Sequence, residues 1–346
     1  MTNRYFYSTL TRISDLEKQG FEVQPIPRDQ WATGDYVVGI VQISQGQLGQ
    51  VELSQGRMAH VMNGDRIVGA FGVRQATLEV VGDWRAIEAG GQMQDMTFAG
   101  IFGRITSQSS YAPAMTPLQY EGHVLRRQQK VCMQDFVMAG DRLPLRCPVI
   151  LIVGTSMSAG KTTVARVIIH QLKQLGLKVV GTKLTGVGRY RDILAMGDAG
   201  ADAIYDFVDV GLPSSICDAD QYRGCLRRLL SLIAAQNPDV VVAEAGASPS
   251  EPYNGSVVLE EIQPQIKMSV LCASDPYAVL GVSQSFGFQP DLISGVTTST
   301  SAGIELVEKL THQRALRLPS PDALPVLKAL LIRKLGLTQA CALASP

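Results

Sequence analysis

The stretch whose residue types most directly indicate chemistry is Gly160-Lys161-Thr162, which follows the apolar run PVILIVG. Glycines let several backbone N–H groups converge on anionic oxygens, a lysine can neutralise phosphates, and a hydroxyl can bind Mg²⁺. The first turn of a following helix would add the positive end of its dipole. The sequence therefore predicts a phosphate-binding loop between a buried strand and a helix.

The spacing of this loop differs by one residue from the usual phosphate loop. Five residues, Thr155 to Ala159, separate Gly154 from Gly160, where the usual pattern has four. The apolar run before the loop and the amphipathic segment after it still supply the context that the motif requires. The residues expected to bind a cofactor at the loop are Gly154, Thr155, Ser158, Ala159, Gly160, Lys161, Thr162 and Thr163.

The stretch GTSMSAGKTT resembles the Gly-Thr-x-x-x-x-Gly-Lys-Thr loop of dethiobiotin synthetase and its relatives. The resemblance implies a second lysine near the phosphates, and VVGTKLTG has Lys183 at the corresponding place. It also implies a strand-terminal glutamate that helps to hold Mg²⁺, which makes Glu244 of DVVVAEAG the candidate. Lys161, Lys183 and Glu244 are thus the expected catalytic residues, and Thr162 and Glu244 the expected metal ligands. The alternatives are a solvated strand-end lysine and a glutamate that caps a strand.

Longer stretches resemble an uncharacterised-domain family that includes D-glutamate N-acetyltransferase. DILAMGDAGADAIYDFVDVG contains the family's Asp-Phe-Val element at residues 206–208, and residues 244–253 match its segment that ends in Pro and Tyr. The resemblance spans about residues 148–300. It implies a P-loop fold, a homodimer and, as an alternative to ATP, acetyl-CoA at the loop.

The loop after the second strand of this half contains Arg189 and Arg191. A guanidinium group suits a carboxylate or a phosphate, so we expect an anionic small-molecule substrate, unless these arginines lie on a solvated loop. The late segment LISGVTTSTSAG is expected to contact the nucleobase through Thr297 and Thr298. The residues expected to gather around the substrate are Thr185, Arg189, Arg191, Asp192, Asp206, Ser248 and Tyr253.

The first half of the chain has the sequence pattern of a β-rich domain. Between about residues 34 and 106, short β segments are separated by turn residues such as Asn63-Gly64, which predicts a small barrel or sandwich. The stretch SSYAPAMTPLQ lacks periodicity and is predicted to be a loop. The sequence after it, EGHVLRRQQKVCMQDFV, is expected to return to the sheet.

The second half alternates apolar runs with helices, the first of which is expected from Lys161 to about Leu175. This pattern predicts a parallel sheet covered on both faces. We place the domain boundary near Arg146. The predicted fold class is α/β, with a smaller barrel-like β-rich domain at residues 1–145 and a P-loop NTPase-like domain at residues 146–346.

The composition narrows the classes of partner. Lys and Arg number 31 and Asp and Glu also number 31, so no net charge favours nucleic acid or an anionic membrane. The start of the chain lacks the pattern of a signal peptide, and no apolar run is long enough to span a bilayer, so we expect a cytoplasmic protein. The cysteines are expected to be reduced thiols outside any metal site: Cys132, Cys147, Cys217, Cys225, Cys272 and Cys341.

Three functions are compatible with these residues. The first is an enzyme that uses ATP and Mg²⁺ to phosphorylate or ligate a small anionic metabolite. The second is an acyltransferase whose loop binds the phosphates of an acyl-CoA. The third is a nucleotide-hydrolysing switch with the β domain as its partner-binding module. The sequence contains no Asn-Lys-x-Asp guanine-reading motif, which favours ATP over GTP.

Overall fold

The computed structural model describes residues 4–44, 46–138, 140, 143–246, 248, 250–287 and 289–337. The chain divides into two compact units. The first unit comprises the described residues of Met1–Ala139 together with Val187–Arg191 and Phe207–Ile216. The second unit comprises the described residues of Gly140–Gly186, Asp192–Asp206 and Cys217–Pro346. Two short segments of the C-terminal half thus belong to the first unit, so a single boundary near Arg146 does not separate the two units.

The first unit is rich in β-structure, as the hairpin spacing predicts. Its strands are β1 (Tyr5–Tyr7), β2 (Glu22–Gln24), β3 (Tyr36–Val41), β4 (Gly49–Glu52), β5 (Met58–Val61), β6 (Arg66–Phe71), β7 (Val73–Gln75), β8 (Val80–Asp83), β9 (Gln92–Asp95), β10 (Ile101–Gln108), β11 (Thr116–Arg126) and β12 (Gln129–Lys130). The main sheet has the order β1-β6-β3-β11-β9-β10-β8-β7, and β2 and β12 pair with β11. Strands β4 and β5 form a separate hairpin.

The first unit is not clearly a barrel. Strands β6 and β10 do pair with each other, but only over Ala70 with Ile101 and Phe71 with Phe102. The predicted loop SSYAPAMTPLQ is partly wrong, because β11 already begins at Thr116. Proline is tolerated at position 117 because its carbonyl oxygen, rather than an N–H group, makes a bond, accepting the N–H of Gln42 at 2.9 Å.

The second unit is α/β, as predicted. In chain order it contains β13 (Val149–Gly154), α1 (Lys161–Gln174), β14 (Val179–Thr185), α2 (Tyr190–Asp198), β15 (Ala203–Asp206), α3 (Ala219–Ala235), β16 (Val240–Ala245), α4 (Gly255–Ile262), β17 (Ile266–Cys272), α5 (Pro276–Phe286), β18 (Leu292–Ser294), α6 (Ser301–Thr311) and α7 (Leu324–Leu335). The first two residues of α2 are counted with the first unit. The sheet is parallel, with the order β15-β14-β16-β13-β17-β18.

The apolar runs of the second half form this sheet because both of its faces are covered. All residues of β13, β14 and β16 are buried, which is typical of parallel strands between helical layers. Helix α1 presents Ile168, Ile169 and Leu172 to the core. These three strands are neighbours in the sheet, so their carboxyl ends lie next to one another at one edge.

Two further expectations concern the whole chain. None of the described helices has the length and apolar character needed to cross a membrane. The cysteines within the described residues are free thiols, as expected, whereas Cys341 lies outside them. The described residues also contain no cluster of three or more His, Cys, Asp or Glu side chains that could hold a metal ion by themselves.

Candidate functional site

The loop between β13 and α1 requires glycine at both of its ends. Gly160 adopts a left-handed conformation with φ of 97°, which glycine accommodates without strain. A Cβ atom on Gly154 would lie 2.7 Å from Nζ of Lys161, so a side chain there would displace the lysine. The absence of a side chain at Gly154 therefore leaves the space that the Lys161 side chain occupies inside the loop.

Lys161 lies inside the loop. Its Nζ donates to the carbonyl oxygen of Ser156 at 2.6 Å and lies 3.5 Å from that of Met157. The side chain is only 3% exposed, and burial lowers the pKa of Lys161. Within the described chain no carboxylate lies within ion-pair distance of this ammonium group, which suits it to an anionic ligand.

Three of the polar side chains lie in one row across adjacent strands. Lys183 on β14 is in register with Asp206 on β15 and with Glu244 on β16, and Glu244 is in register with Ile152 on β13. Residues in register on parallel strands point to the same face, so Lys183 and Glu244 are neighbours. Lys183 and Glu244 thus lie side by side at the carboxyl edge of the sheet, and their expected catalytic roles stay predictions.

Glu244 joins this row to the phosphate loop. The hydroxyl of Thr162 donates to Oε2 of Glu244 at 3.1 Å. Burial raises the pKa of Glu244, although the positive charges of Lys161 and Lys183 oppose this effect. A hydroxyl and a carboxylate are both oxygen ligands of the kind that Mg²⁺ uses alongside phosphates and water. The residues present therefore fit a magnesium ion, which would be held by Thr162 and Glu244.

Lys183 has a carboxylate partner close to the site. Its Nζ donates to Oδ2 of Asp192 at 2.6 Å. Burial alone would lower the pKa of Lys183, but the carboxylates of Asp192, Glu244 and Asp206 outweigh burial and raise this pKa. Lys183 is thus held as a cation inside the protein. It is not the solvated strand-end lysine of the alternative interpretation.

A second set of contacts fixes the phosphate loop against the ends of β17 and β18. The backbone N–H of Thr155 donates to the carbonyl oxygen of Cys272 at 3.0 Å, and its hydroxyl lies 3.3 Å from that of Ser274. The N–H of Val296 donates to the carbonyl oxygen of Ala159 at 3.3 Å. Thr155 and Ala159 thus form hydrogen bonds that stabilise the loop, whereas Ser158 is exposed.

The other residues that are expected to contact the nucleotide, Thr163, Thr297 and Thr298, have different surroundings. Thr163 is exposed on the first turn of α1. Thr298 is buried, and its hydroxyl donates to the carbonyl oxygen of Gly295 at 2.9 Å, which stabilises a local turn. The hydroxyl of Thr297 is buried and has no hydrogen-bond partner among the described residues. A contact of Thr298 with a nucleobase therefore stays a prediction, and Thr297 is the better placed to gain one.

Part of the expected substrate set forms internal contacts. The hydroxyl of Thr185 donates to the carbonyl oxygen of Gly246 at 2.8 Å, which braces β14 against the end of β16. Ser248 and Tyr253 are organised around Glu251, whose carboxylate accepts the N–H of Ser248 at 2.6 Å and whose carbonyl oxygen accepts the N–H of Tyr253 at 2.7 Å. Tyr253 is fully buried. The substrate roles of these residues stay predictions.

The two arginines belong to the first unit. Nε of Arg189 lies 3.5 Å from Oε2 of Glu52, and the backbone N–H of Arg191 donates to Oε1 of Glu52 at 3.0 Å. The Arg191 side chain is exposed. Sequence reasoning did not identify Glu52, because it lies 139 positions before Arg191 and neither residue carries a motif that points to the other.

Comparison with known proteins gives a likeness in structure alone. No protein-family model matches the chain, and no curated protein matches its sequence. The signal recognition particle receptor FtsY from Elizabethkingia anophelis in complex with GDP is 16% identical over 51% of this chain and 58% of the receptor chain, with a TM-score of 0.36. This chain thus spans less than two thirds of that receptor.

Two further solved structures are similar to this chain at the same level. HypB from Helicobacter pylori in complex with nickel is 18% identical over 55% of this chain and 87% of its own, with a TM-score of 0.36. A ParA family ATPase from Chlorobium tepidum TLS is 15% identical over 57% of this chain and 98% of its own, with a TM-score of 0.32. Since all three TM-scores lie below 0.5, the interpretation of the site depends on its own residues. The resemblance to dethiobiotin synthetase is not confirmed.

Proposed function

We propose that the second unit binds a nucleoside triphosphate with Mg²⁺ and uses it to phosphorylate or ligate a small anionic metabolite. One observation carries the proposal: the buried side chains of Lys161, Lys183 and Glu244 lie together with the hydroxyl of Thr162 at the carboxyl edge of the sheet. Two ammonium groups beside a carboxylate suit a polyphosphate and a divalent cation. Such edges are where open parallel sheets bind ligands.

The residues divide the work between them. Lys161 and the loop N–H groups would bind the outer phosphates, and Thr162 and Glu244 would hold Mg²⁺. When bound, Mg²⁺ neutralises part of the charge on the phosphates. Lys183, held as a cation by Asp192, would stabilise negative charge that develops on the transferred group. The protein would position the nucleotide and the acceptor and neutralise the charge of the phosphates, and it would form no covalent intermediate.

ATP is the first candidate among the nucleotides because the sequence has no guanine-reading Asn-Lys-x-Asp motif. The buried hydroxyl of Thr297, close in sequence to the loop contact made by Val296, is available for a polar contact with the base. The acceptor is expected to be anionic because Lys183, within the second unit, supplies a positive charge at the site.

A second candidate function is acyl transfer from an acyl-CoA bound through its phosphates. The raised pKa of Glu244 favours this candidate, because a carboxylate with a raised pKa is a better proton acceptor for an amine than an ordinary glutamate is. In this reaction Glu244 would act as a base and Mg²⁺ would have no task.

Thermal unfolding of the full chain with candidate ligands separates the two functions. A ligand at ~100 times its dissociation constant should add ~2.7 kcal/mol to the free energy of unfolding. We expect ATP with Mg²⁺ to raise the melting temperature and ATP with a chelator to raise it less. A shift with acetyl-CoA that does not depend on the metal, together with no shift with ATP, would favour acyl transfer.

A further inference from the structure

Asp192 is the carboxylate of the charged cluster in the second unit that a small molecule can reach. Its side chain is 26% exposed, whereas that of its partner Lys183 is 5% exposed. Glu244 and Asp206, the other carboxylates that act on Lys183, are both buried. A molecule that binds beside this cluster can therefore contact the Asp192 carboxylate more readily than either of the other two.

Lys183 fixes the direction of this carboxylate. Its Nζ donates to Oδ2 of Asp192 at 2.6 Å. The stem of Lys183 packs against the backbone at two glycines, since an added Cβ atom would lie 3.2 Å from Cε of Lys183 at Gly186 and 3.4 Å from it at Gly246. Because the stem is confined in this way, the ammonium group and the carboxylate that accepts its hydrogen bond have a defined position.

The ion pair places Asp192 close to the group that the proposed function transfers. In that function Lys183 stabilises the charge on the phosphoryl group, and Asp192 lies one hydrogen bond away from Lys183. A nucleophile that approaches the same phosphoryl group comes within reach of Asp192, and this reach is the first requirement for a general base. Glu244 has a different task, because it accepts the hydroxyl of Thr162 and would hold Mg²⁺.

The charges around Lys183 disfavour one kind of acceptor. Burial raises the pKa of Glu244, and the negative charge of Asp192 raises this pKa further, so the two carboxylates are close enough to repel each other. A carboxylate that acted as the nucleophile would add another like charge at this place. A hydroxyl or amine group can instead donate a hydrogen bond to Asp192.

We propose that Asp192 accepts the proton of the phosphoryl acceptor, and that the acceptor attacks through a hydroxyl or an amine group rather than through a carboxylate. The acceptor is thus a small anionic metabolite with a free hydroxyl or amine group. This inference rests on the proposed function and narrows it to phosphorylation, because ligation that begins with an acyl phosphate needs a carboxylate as the nucleophile.

The bonds of this step balance. The lone pair of the acceptor oxygen or nitrogen forms a bond to the γ-phosphorus of the nucleotide, and the proton of that O–H or N–H group passes to the carboxylate of Asp192. The bond from the γ-phosphorus to the bridging oxygen breaks, and its electron pair leaves with the nucleoside diphosphate. Lys183 stays protonated throughout the step.

The test uses water as the acceptor, because water is the simplest acceptor with an O–H group. Phosphate release from ATP with Mg²⁺ is measured for the full chain, and ATP affinity is measured by calorimetry. In D192N the amide oxygen can still accept the hydrogen bond of Lys183 but cannot take up a proton. We expect kcat for hydrolysis to fall at least roughly tenfold and ATP affinity to change by less than about twofold.

Two further variants separate this chemistry from a loss of structure. D192E keeps a carboxylate and should retain more hydrolysis than D192N. D198N changes an exposed residue at the other end of α2 and should hydrolyse ATP as the wild type does. The circular dichroism of each variant is compared with that of the wild type.

A second measurement does not require turnover. ADP with aluminium fluoride and Mg²⁺ mimics the transition state of phosphoryl transfer, and such analogues bind more tightly than ground-state ligands. We expect the wild type and D198N to bind this complex at least roughly tenfold more tightly than ADP. D192N should lose most of this difference, because the nucleophilic water loses its hydrogen-bond acceptor.

Two results would overturn the proposal. One is a folded D192N that hydrolyses ATP at the wild-type rate and keeps the full preference for ADP with aluminium fluoride. The other is formation of an acyl phosphate from ATP and acetate or succinate by the wild type, trapped with hydroxylamine as a hydroxamate. Failure of the proposed function gives a different result, since the wild type would then bind no ATP in calorimetry.

Discussion

Lys183 and Glu244 are in direct register on neighbouring parallel strands, and both side chains are buried at the edge where the phosphate loop begins. The opposite charges of Lys183 and Glu244 shift each other's pKa values in opposite directions. Lys183 lowers the pKa of Glu244 against the larger effect of burial, and Glu244 helps to raise the pKa of Lys183. The pair thus keeps a carboxylate and an ammonium group available to ligands inside the protein.

Removing the loop lysine should abolish most of the affinity for a phosphate ligand. Lys161→Ala deletes a charged hydrogen bond, worth ~1.5–3 kcal/mol, which corresponds to a loss of affinity of roughly 10- to 150-fold. Calorimetry with ATP and Mg²⁺ measures this loss. The control is Lys173→Ala on the same helix, whose ammonium group pairs with Asp202 and which should bind normally. Equal affinities of Lys161→Ala and wild type would contradict the assignment of the loop.

A methyl group at the first glycine of the loop should have a similar effect for a steric reason. In Gly154→Ala the new Cβ would lie 2.7 Å from Nζ and 2.9 Å from Cδ of Lys161, so the lysine must leave its place. We expect ATP affinity to fall at least several-fold. Gly224→Ala is the matched control, because nothing lies within 4 Å of a Cβ there and alanine in α3 should stabilise the helix by up to ~1 kcal/mol.

The first unit contains a group that makes stability depend on pH. Burial, with a smaller contribution from the charge of Glu52, raises the pKa of Asp95 from 3.8 to about 7, although the N–H groups of Thr97 and Gly100 and the charge of Arg74 act against this increase. The native state therefore holds this proton more tightly than the unfolded state does. The resulting stability is fully present below pH 3.8 and is lost as pH rises through about 7.

Asp95→Asn should remove this dependence. The amide oxygen can still accept the N–H groups of Thr97 and Gly100, while no charge forms at high pH. We expect the variant to gain melting temperature relative to the wild type at pH 8, and to gain less or nothing at pH 5. The measurement is thermal unfolding at both pH values. A difference between variant and wild type that is the same at both pH values would show that Asp95 does not titrate in this range.

The division into units predicts the behaviour of a truncated chain. Residues 207–216 belong to the first unit, and Phe207, Val208 and Leu212 in this segment are buried. Expressing residues 146–346 alone removes most of the first unit and leaves these side chains without their partners. We expect aggregation or a lower melting temperature than the full chain, as measured by gel filtration and thermal unfolding. A monomeric fragment with the full melting temperature and ligand affinity would show that the segment packs elsewhere.

The sequence was sufficient for the elements whose signals are local. The apolar run of β13, the glycines of the loop and helix α1 follow from short patterns, and α1 begins at Lys161 as predicted. The register of Lys183 with Glu244 was not predicted, because it depends on β14 and β16 being neighbours in the sheet. A predicted loop that overlaps β11 was wrong in part, because the strand signal there depends on pairing partners distant in sequence.

The contacts that sequence reasoning missed depend on the path of the chain. Asp192 was expected near the substrate, but its bond to Lys183 depends on where α2 begins. Glu52 carries no motif, and its carboxylate accepts hydrogen bonds from Thr9 and Arg191, which are both far from it in sequence. The expected contact of Arg189 with a substrate stays a prediction, and nothing in the sequence pattern indicates that Glu52, 137 positions earlier in the chain, lies beside Arg189.

The most direct test of the central claim is the effect of Mg²⁺ on ATP binding to the wild type and to Glu244→Gln, measured by isothermal titration calorimetry. We predict that the wild type binds ATP at least tenfold more tightly with Mg²⁺ than with a chelator, because Thr162 and Glu244 hold the ion. Glu244→Gln should bind ATP equally with and without Mg²⁺, while Glu260→Gln, at an exposed position, should behave as the wild type. A wild type that binds no ATP, or a Glu244→Gln variant that keeps the full effect of Mg²⁺, would contradict the account.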